Sequence, residues 1–292
     1  MSHFVELSAS GVEPIRFEGS GDEDCLCIAK AGIEGWYSTP TAKVNVVSRG
    51  QGDGGHDIAE NDIYYASRTV TLNWNANTSN RQSLIELTNK VRVFAHRLVR
   101  MRVVDEYSDT YCDGGYFAVT QKPEYRFGSI ADSTIMLVFE RPERLSSSPH
   151  RFQLLPSVDS AHLGLRYGDG GKGLQYPLSY GKAATDSRNV GTLVNGGSSR
   201  AYPVFTVTGP WPDGVRLTFP GLETVLDYAQ PVGAVPLVLD SRSRTASIGG
   251  LDVSRNLRSR GFPTVPAGGS VSVSLASTGS GWVDVEVHDT YM

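Results

Sequence analysis

The second half of the chain is a succession of short apolar stretches separated by turn residues, and this pattern constrains the fold more than any other feature. From residue 202 onward the stretches are YPVFTVTG, GVRLTFPG, ETVLDYA, VPLVLDS, RTASIGG, GSVSVSLAS and GWVDVEVHDTYM. Their alternation of apolar and polar residues is typical of strands with one buried face. Short antiparallel strands with no helix between them predict a β-sandwich, which we place at residues 192–292.

The first half is also rich in predicted strands, but it contains one helical segment. The stretch SNRQSLIELTNKVRVFAHRLVR places its apolar residues on one stripe, which predicts a helix from about residue 80 to 96 with Ser79 and Gln82 as a capping box. Further strands are predicted in RMRVVDEY, GGYFAVTQKPEYRF and STIMLVFERPER. The first half is therefore predicted to be a β-sandwich-like domain with one helix.

The domain organisation follows from a change in composition near the middle of the 292 residues. Residues 145–200 contain Ser-rich and Gly-rich runs with few β-branched residues, which is typical of long loops at a domain junction. We expect a mainly β protein with a first domain at 1–150, a junction at 151–191 and the second sandwich at 192–292. Limited proteolysis is then expected to cut the junction and release a folded fragment of roughly 100 residues.

An arginine interrupts an apolar row in IYYASRTVTLNW, residues 63–74. Side chains alternate across a strand, so Arg68 shares a face with Val70, Leu72 and Trp74. One explanation is that Arg68 lies at the rim of the strand, with its stem packed and its guanidinium in water. The other is that the sheet meets another copy of the chain, and Arg68 forms a forked ion pair at that contact.

The residue types that carry catalysis form no coherent set. Residues 168–173, GDGGKG, match the letters of a nucleotide-binding loop, but the following LQYPLSYG contains a proline where a helix is needed. The six histidines are scattered, and Cys25, Cys27 and Cys112 lack the spacing of a zinc site or a disulfide framework. The sequence therefore predicts no enzyme activity, no cofactor and no metal.

Two further groups of residues have more than one interpretation. An acidic loop could be a calcium site, a pair of catalytic carboxylates or a solvated surface; its members are Asp53, Asp57, Glu60 and Asp62. The tryptophans could form a sugar-binding platform, or they could be core or interface aromatics; they are Trp36, Trp74, Trp211 and Trp282.

Charge and hydropathy exclude other classes of protein. Residues 1–150 carry 15 Lys and Arg against 20 Asp and Glu, a formal charge of −5, and the rest of the chain carries +1. No cluster of basic residues with interleaved aromatics is present, so a surface that grips nucleic acid is not expected. No apolar run is long enough to cross a bilayer, and the N-terminal residues lack a secretory signal pattern, so we expect assembly in a cytoplasm without a membrane partner.

The order of several stretches resembles one protein family. GWYSTP, then an Asp- and Gly-rich loop, then YYASRTVTLNW and a helix are similar to the first domain of the distal tail proteins of siphophages that infect Gram-positive bacteria. NGGSSRAYPVFTVTG, DYAQPVGAVPLVLDSRSRTAS and FPTVPAGGSVSV are similar to the second domain. Each stretch alone is weakly specific, but together they follow the family order over nearly the whole chain.

The resemblance implies a structural role at the tip of a phage tail. Proteins of this family form a six-fold ring from their first domains, with galectin-like (jelly-roll) second domains pointing outward. The tail tube protein docks on one side and the tail-associated, host-facing hub protein on the other, and the tape measure protein and the genome pass through the hole. The resemblance thus implies a virion protein assembled in the bacterial cytoplasm. The alternatives are a module that binds cell-wall carbohydrate and, more remotely, a hydrolase.

This implied role gives each group of residues an expected place. Arg68, Trp74 and Trp36 become candidates for the contact between subunits, because a closed ring needs two different complementary patches on each subunit. Acidic residues suit the wall of a channel that DNA must slide through, since they repel its phosphates. Asp53, Asp57, Glu60 and Asp62 are therefore candidates for lining the channel. Under the carbohydrate alternative, Trp211 and Trp282 are the candidate sugar-binding residues.

Overall fold

A computed structural model describes residues 3–19, 24–59, 62–122, 128–156 and 188–292. These residues form twenty strands and one α-helix. In chain order they are β1 Phe4–Ala9, β2 Val12–Glu18, β3 Cys25–Glu34, β4 Arg68–Asn77, α1 Arg81–Arg92, β5 Leu98–Asp105, β6 Ser108–Thr120, β7 Ser129–Phe139, β8 Arg144–Ser146, β9 His150–Leu154, β10 Val190–Val194, β11 Val204–Thr208, β12 Val215–Phe219, β13 Thr224–Tyr228, β14 Leu237–Asp240, β15 Thr245–Ile248, β16 Leu251–Asp252, β17 Leu257–Arg260, β18 Ser270–Leu275, β19 Trp282–Val287 and β20 Thr290–Tyr291. The prediction of a mainly β protein is confirmed.

The chain divides into two compact units whose boundaries differ from the predicted domains. The first unit comprises Met1–Ser148 together with Thr290–Met292, and the second comprises Pro149–Asp289. The predicted junction at 151–191 therefore includes most of β9 and the start of β10, which are strands of the second unit. Residues 157–187, which include the GDGGKG motif, lie outside the described residues.

The first unit is a barrel-like sheet rather than the predicted sandwich. Seven strands are hydrogen-bonded in the order β6, β5, β1, β2, β3, β4 and β7, and β7 pairs again with β6, which closes the ring. The short strands β8 and β20 extend the sheet from β6. Closure depends on Tyr116–Thr120 pairing with Thr134–Val138, a contact that each strand's own alternation does not reveal. Apolar side chains fill the interior, where the rings of Phe17 and Trp74 meet edge to face at 5.9 Å.

The helix connects β4 to β5 and packs on the core of the first unit. Leu84 and Val91 are fully buried, and this matches the predicted apolar stripe. The cap is one residue later than predicted: Asn80 Oδ1 accepts the backbone N–H of Ser83 at 2.9 Å, whereas the side chain and backbone N–H of Ser79 bind Asp24. The helix ends at Arg92, four residues earlier than expected, and turns follow. None of the helices in the described ranges is long and apolar enough to span a membrane.

The second unit consists of two antiparallel sheets that share one core. One sheet has the strand order β10, β18, β12, β13, β17, and the other has the order β16, β15, β14, β11, β19, β9. Phe205 of the second sheet and Phe219 of the first contact each other with ring centroids 5.9 Å apart. The predicted β-sandwich is therefore present, but it begins before residue 192, because β9 is one of its strands.

Because β9 is a strand of the second unit, a cut in the junction is no longer expected to release a folded C-terminal fragment. β9 pairs with β19 over five residues, from His150 opposite Val287 to Leu154 opposite Val283, and Leu154 is fully buried. If a protease site is inserted between residues 170 and 171, the cut chain is expected to run as one species in native size exclusion and as two bands after denaturation. A chain that starts at residue 188 lacks β9 and is expected to fold poorly. Separation of the cut fragments in native buffer would contradict this topology.

Candidate functional site

Arg68 is held inside the first unit by bonds to its own chain. The side chain is 1% exposed, and its Nε donates to the Pro142 carbonyl at 2.7 Å. Nη1 shares its two hydrogens among three carbonyls in the segment after β3, those of Gly35, Trp36 and Ser38, at 2.7, 2.9 and 2.8 Å. Burial lowers the pKa of the guanidinium. Arg68 therefore neither reaches solvent at a rim nor forms a forked ion pair with another copy; it fastens two chain segments to the start of β4.

The other two interface candidates are also core residues. Trp74 and Trp36 have no exposed surface, and the guanidinium of Arg144 lies 5.8 Å from the centre of the Trp36 ring. The turn before Trp36 requires glycine, since Gly35 has φ +79° and a Cβ there would lie 2.2 Å from the carbonyl oxygen of Thr69. Arg68, Trp74 and Trp36 are thus buried within one subunit, so a side-chain contact between subunits needs other residues.

A long excursion between β3 and β4 supplies such side chains, and we call residues 41–66 the arm. Backbone bonds join its two sides: Lys43 N–H donates to the Tyr64 carbonyl at 2.6 Å, and His56 N–H donates to the Val47 carbonyl at 3.0 Å. Residues 60 and 61 lie outside the described residues. Nearly every described side chain from 41 to 59 is exposed. The arm is therefore a hairpin-like loop with little contact to the rest of its own unit.

The arm exposes apolar side chains that the core does not cover. Val46 and Tyr64 are 67% and 59% exposed, and Val47 and Ile58 are 55% and 39% exposed. Single exposed apolar residues are ordinary, but four on one loop are typical of a surface that another molecule covers. The sequence did not predict this feature, because only the acidic residues of the loop had been interpreted.

The acidic residues proposed for the channel lie on the same arm. Asp53, Asp57 and Asp62 are exposed, and Glu60 is outside the described residues. Asp57 forms an ion pair with Arg49 at 2.8 Å, although its own side chain is 96% exposed. The arm thus carries both exposed apolar and exposed acidic side chains. The direction in which the acidic residues face in an assembly stays a prediction.

A row of charges crosses the outer face of β2, β1, β5 and β6. Glu6 lies 2.8 Å from Arg16 and 3.9 Å from Arg102, and Arg102 forms a forked pair with Asp109 at 2.8 and 2.6 Å. The hydrogen bonds from Arg102 lower the pKa of Asp109, and the same pairing raises the pKa of Arg102. These groups are partly exposed, so each pair contributes on the order of 0.2–1 kcal/mol. The row keeps this part of the barrel wall polar.

The two tryptophans proposed for sugar binding do not form a platform. Trp211 is fully buried, and its Nε1–H donates to the Thr208 carbonyl at 3.0 Å. Trp282 is 37% exposed and donates to Asp284 at 2.9 Å. A cleft of about 460 Å³ beside Trp211 is lined mainly by proline, glycine and valine, which offer few hydrogen-bond donors for hydroxyl groups. The described aromatics therefore do not favour the carbohydrate alternative.

The described part of the chain also offers no visible centre for metal chemistry. No three His, Cys, Asp or Glu side chains converge there as a possible metal site.

Comparison with solved structures shows that the fold is similar to that of two phage proteins. Both have a similar fold over nearly their whole length. The SPP1 Dit protein, described as a paradigm of the hub adsorption apparatus in phages that infect Gram-positive bacteria, is similar over 99% of both chains, with a TM-score of 0.60 and 10% identity. A chain of the phage P2 baseplate in its activated conformation with Ca is similar over 99% of this chain and 98% of its own, with a TM-score of 0.53 and 9% identity.

Sequence comparisons add nothing to this result. No family model and no curated protein matches the chain. The expected resemblance to distal tail hub proteins is thus confirmed by the fold, along nearly the whole length of the chain.

Proposed function

We propose that this protein is a structural component of a phage tail tip, where copies of it close into a six-fold ring. The observation that carries the proposal is the fold shared with hub and baseplate proteins over 99% of the chain. At about 10% identity that likeness concerns the fold, so the residues must support the assembly separately. The apolar side chains of the arm supply this support, because they need a partner that one subunit does not provide.

In this proposal the arm of one subunit covers part of its neighbour. A closing ring uses two different patches on each subunit, and a projecting loop with Val46, Val47 and Tyr64 suits one of them. The acidic residues Asp53, Asp57, Glu60 and Asp62 are proposed to face the channel, where they repel the phosphates of passing DNA. The ring then connects the tail tube protein to the host-facing hub protein, with the tape measure protein inside. No catalytic step belongs to this role.

The assembly state of the purified full chain tests the proposal. Size exclusion with light scattering is expected to give a species of about six copies, and negative-stain electron microscopy is expected to show rings with a central hole. If the protein stays monomeric at every concentration and also fails to bind tail tube protein, the hub role is contradicted. A ring in which Asp57 and Asp62 lie on the outer rim removes only the proposed acidic channel.

A further inference from the structure

Two of the three cysteines lie side by side on the outer face of the barrel. Cys25 and Cys27 are one residue apart in β3, so their side chains leave the strand on the same face. Leu26 between them points into the core and is 5% exposed, whereas both cysteines are half-buried. Their Sγ atoms are 2.6 Å apart. The strand thus holds two thiols in direct contact at a position that solvent reaches.

Two adjacent thiols can bond to each other or bind a shared metal ion. A zinc–sulfur bond is about 2.3 Å long, so two thiolates on a tetrahedral ion lie roughly 3.8 Å apart. The described residues also contain no group of three His, Cys, Asp or Glu side chains that could complete such a site. Two thiols held this close on one strand suit thiol–disulfide chemistry, in which the bond forms between the sulfurs themselves.

We propose that Cys25 and Cys27 form a reversible dithiol–disulfide pair that exchanges with soluble disulfides such as glutathione disulfide. One cysteine thiolate attacks a sulfur of glutathione disulfide and releases one glutathione, which leaves a mixed disulfide on the protein. The thiolate of the second cysteine then attacks the protein sulfur of that bond and releases the second glutathione. Two electrons pass to glutathione disulfide, and the two thiol protons end on the two glutathione molecules.

The geometry of the strand makes the resulting bond easy to reduce. Alternate residues of a strand are about 6.4–6.8 Å apart, which is the upper end of the Cα separations that a disulfide bridges. Closing the bond shortens β3 where Cys25 is paired with Asn77 and Cys27 with Asn75 of β4. This distortion opposes the bond, so the pair behaves as a labile disulfide rather than as a permanent staple.

Cys25 and Cys27 are partly exposed, whereas Cys112 is buried. Cys25 lines a cleft of about 530 Å³ between β2 and α1, a volume typical of small-molecule sites. Cys112 is 2% exposed, and burial raises the pKa of its thiol to about 12, so it stays protonated and unreactive in the folded protein. Cys112 therefore serves as an internal control. The exchange needs only the folded chain and does not depend on ring assembly.

Counting thiols after equilibration with glutathione buffers tests the proposal. The full chain is incubated with glutathione disulfide, quenched in acid, denatured and alkylated with N-ethylmaleimide, and its intact mass is measured. The reduced protein takes up three maleimides, one for each cysteine. The oxidised protein is expected to lose two hydrogen atoms and to take up a single maleimide, on Cys112. Excess reduced glutathione is expected to restore three adducts.

Single-cysteine variants separate an internal bond from two independent thiols. Cys25→Ser and Cys27→Ser are each expected to stop at a stable glutathione adduct, because no neighbouring thiol remains to displace it. Cys112→Ser is the matched control and is expected to retain the full loss of two hydrogen atoms. Three maleimides after prolonged oxidation overturn the proposal, and so do glutathione on both Cys25 and Cys27, a bond to Cys112 or a disulfide-linked dimer.

Discussion

Replacing Arg68 by methionine is expected to lower the free energy of unfolding by about 3–5 kcal/mol, because the change leaves buried carbonyl groups without donors. Methionine fills part of the same volume, so the loss reports mainly on the hydrogen bonds to Gly35, Trp36, Ser38 and Pro142. Arg68→Lys keeps the charge but not the forked guanidinium. Its free energy of unfolding is expected to lie between those of Arg68→Met and the unchanged protein. Urea unfolding, monitored by fluorescence, measures the free energy of unfolding of all three proteins.

Arg16→Met provides the matched control for this prediction. Arg16 is in the same sheet and its Nε pairs with Glu6 at 2.8 Å, but its side chain is 55% exposed. The same substitution there is expected to cost less than about 1 kcal/mol. If methionine at Arg16 and at Arg68 lowers the free energy of unfolding by similar amounts, the buried guanidinium of Arg68 contributes little beyond its charge. Unchanged stability but lost assembly in Arg68→Met would favour the subunit contact that the burial of Arg68 argues against.

If the proposed ring forms, the double substitution Val46→Asp with Val47→Asp is expected to abolish its assembly while the subunit stays folded. Both valines are largely exposed in the single chain, so the change costs little there. If a neighbouring copy covers them, each contributes about 1.5 kcal/mol or more on burial, and their loss weakens each contact on the order of 100-fold. Light scattering reports the assembly, and thermal unfolding reports the fold.

Two further variants show whether burial is the cause. Val46→Lys with Val47→Lys reverses the sign of the added charge and is expected to abolish assembly as well. Leu251→Asp introduces the same acid at a residue of β16 that is 75% exposed, and it is expected to leave the ring intact. Rings that persist with aspartate at both arm positions would exclude this face of the arm from the subunit contact.

The sequence predicted those features that depend on local periodicity. The alternation of Arg68, Val70, Leu72 and Trp74 is present in β4, and all four side chains are buried on one face. The helix was also found, although its ends shifted because the cap depends on a single side chain, Asn80, and because Ser79 binds Asp24 instead. Alternation and helical stripes depend on residues that are close in the chain, so the sequence alone is enough to predict them.

The missed features depend on residues that are distant in the chain. The carbonyl partners of Arg68 lie 30 to 74 residues away, so nothing near Arg68 indicates that its Nε and Nη1 atoms are hydrogen-bonded within the subunit. Closure of the barrel places Phe139 of β7 against Gly115 of β6, where a Cβ would lie 2.5 Å from the ring. A glycine inside a strand can mark such a close approach, and this signal was present in GGYFAV but was not used. The exposure of the arm needs the positions of all the other elements.

The return of β20 to the first unit sets an order on synthesis at the ribosome. Thr290 is fully buried and pairs with Leu145 of β8, but Thr290 is translated only after the whole of Pro149–Asp289. At the usual elongation rates this interval is on the order of ten seconds. During it the nascent first unit carries an open strand edge at β8, the kind of edge to which other chains add. The sheet of the first unit is therefore completed last, when β20 pairs with β8 after the second unit has been synthesised.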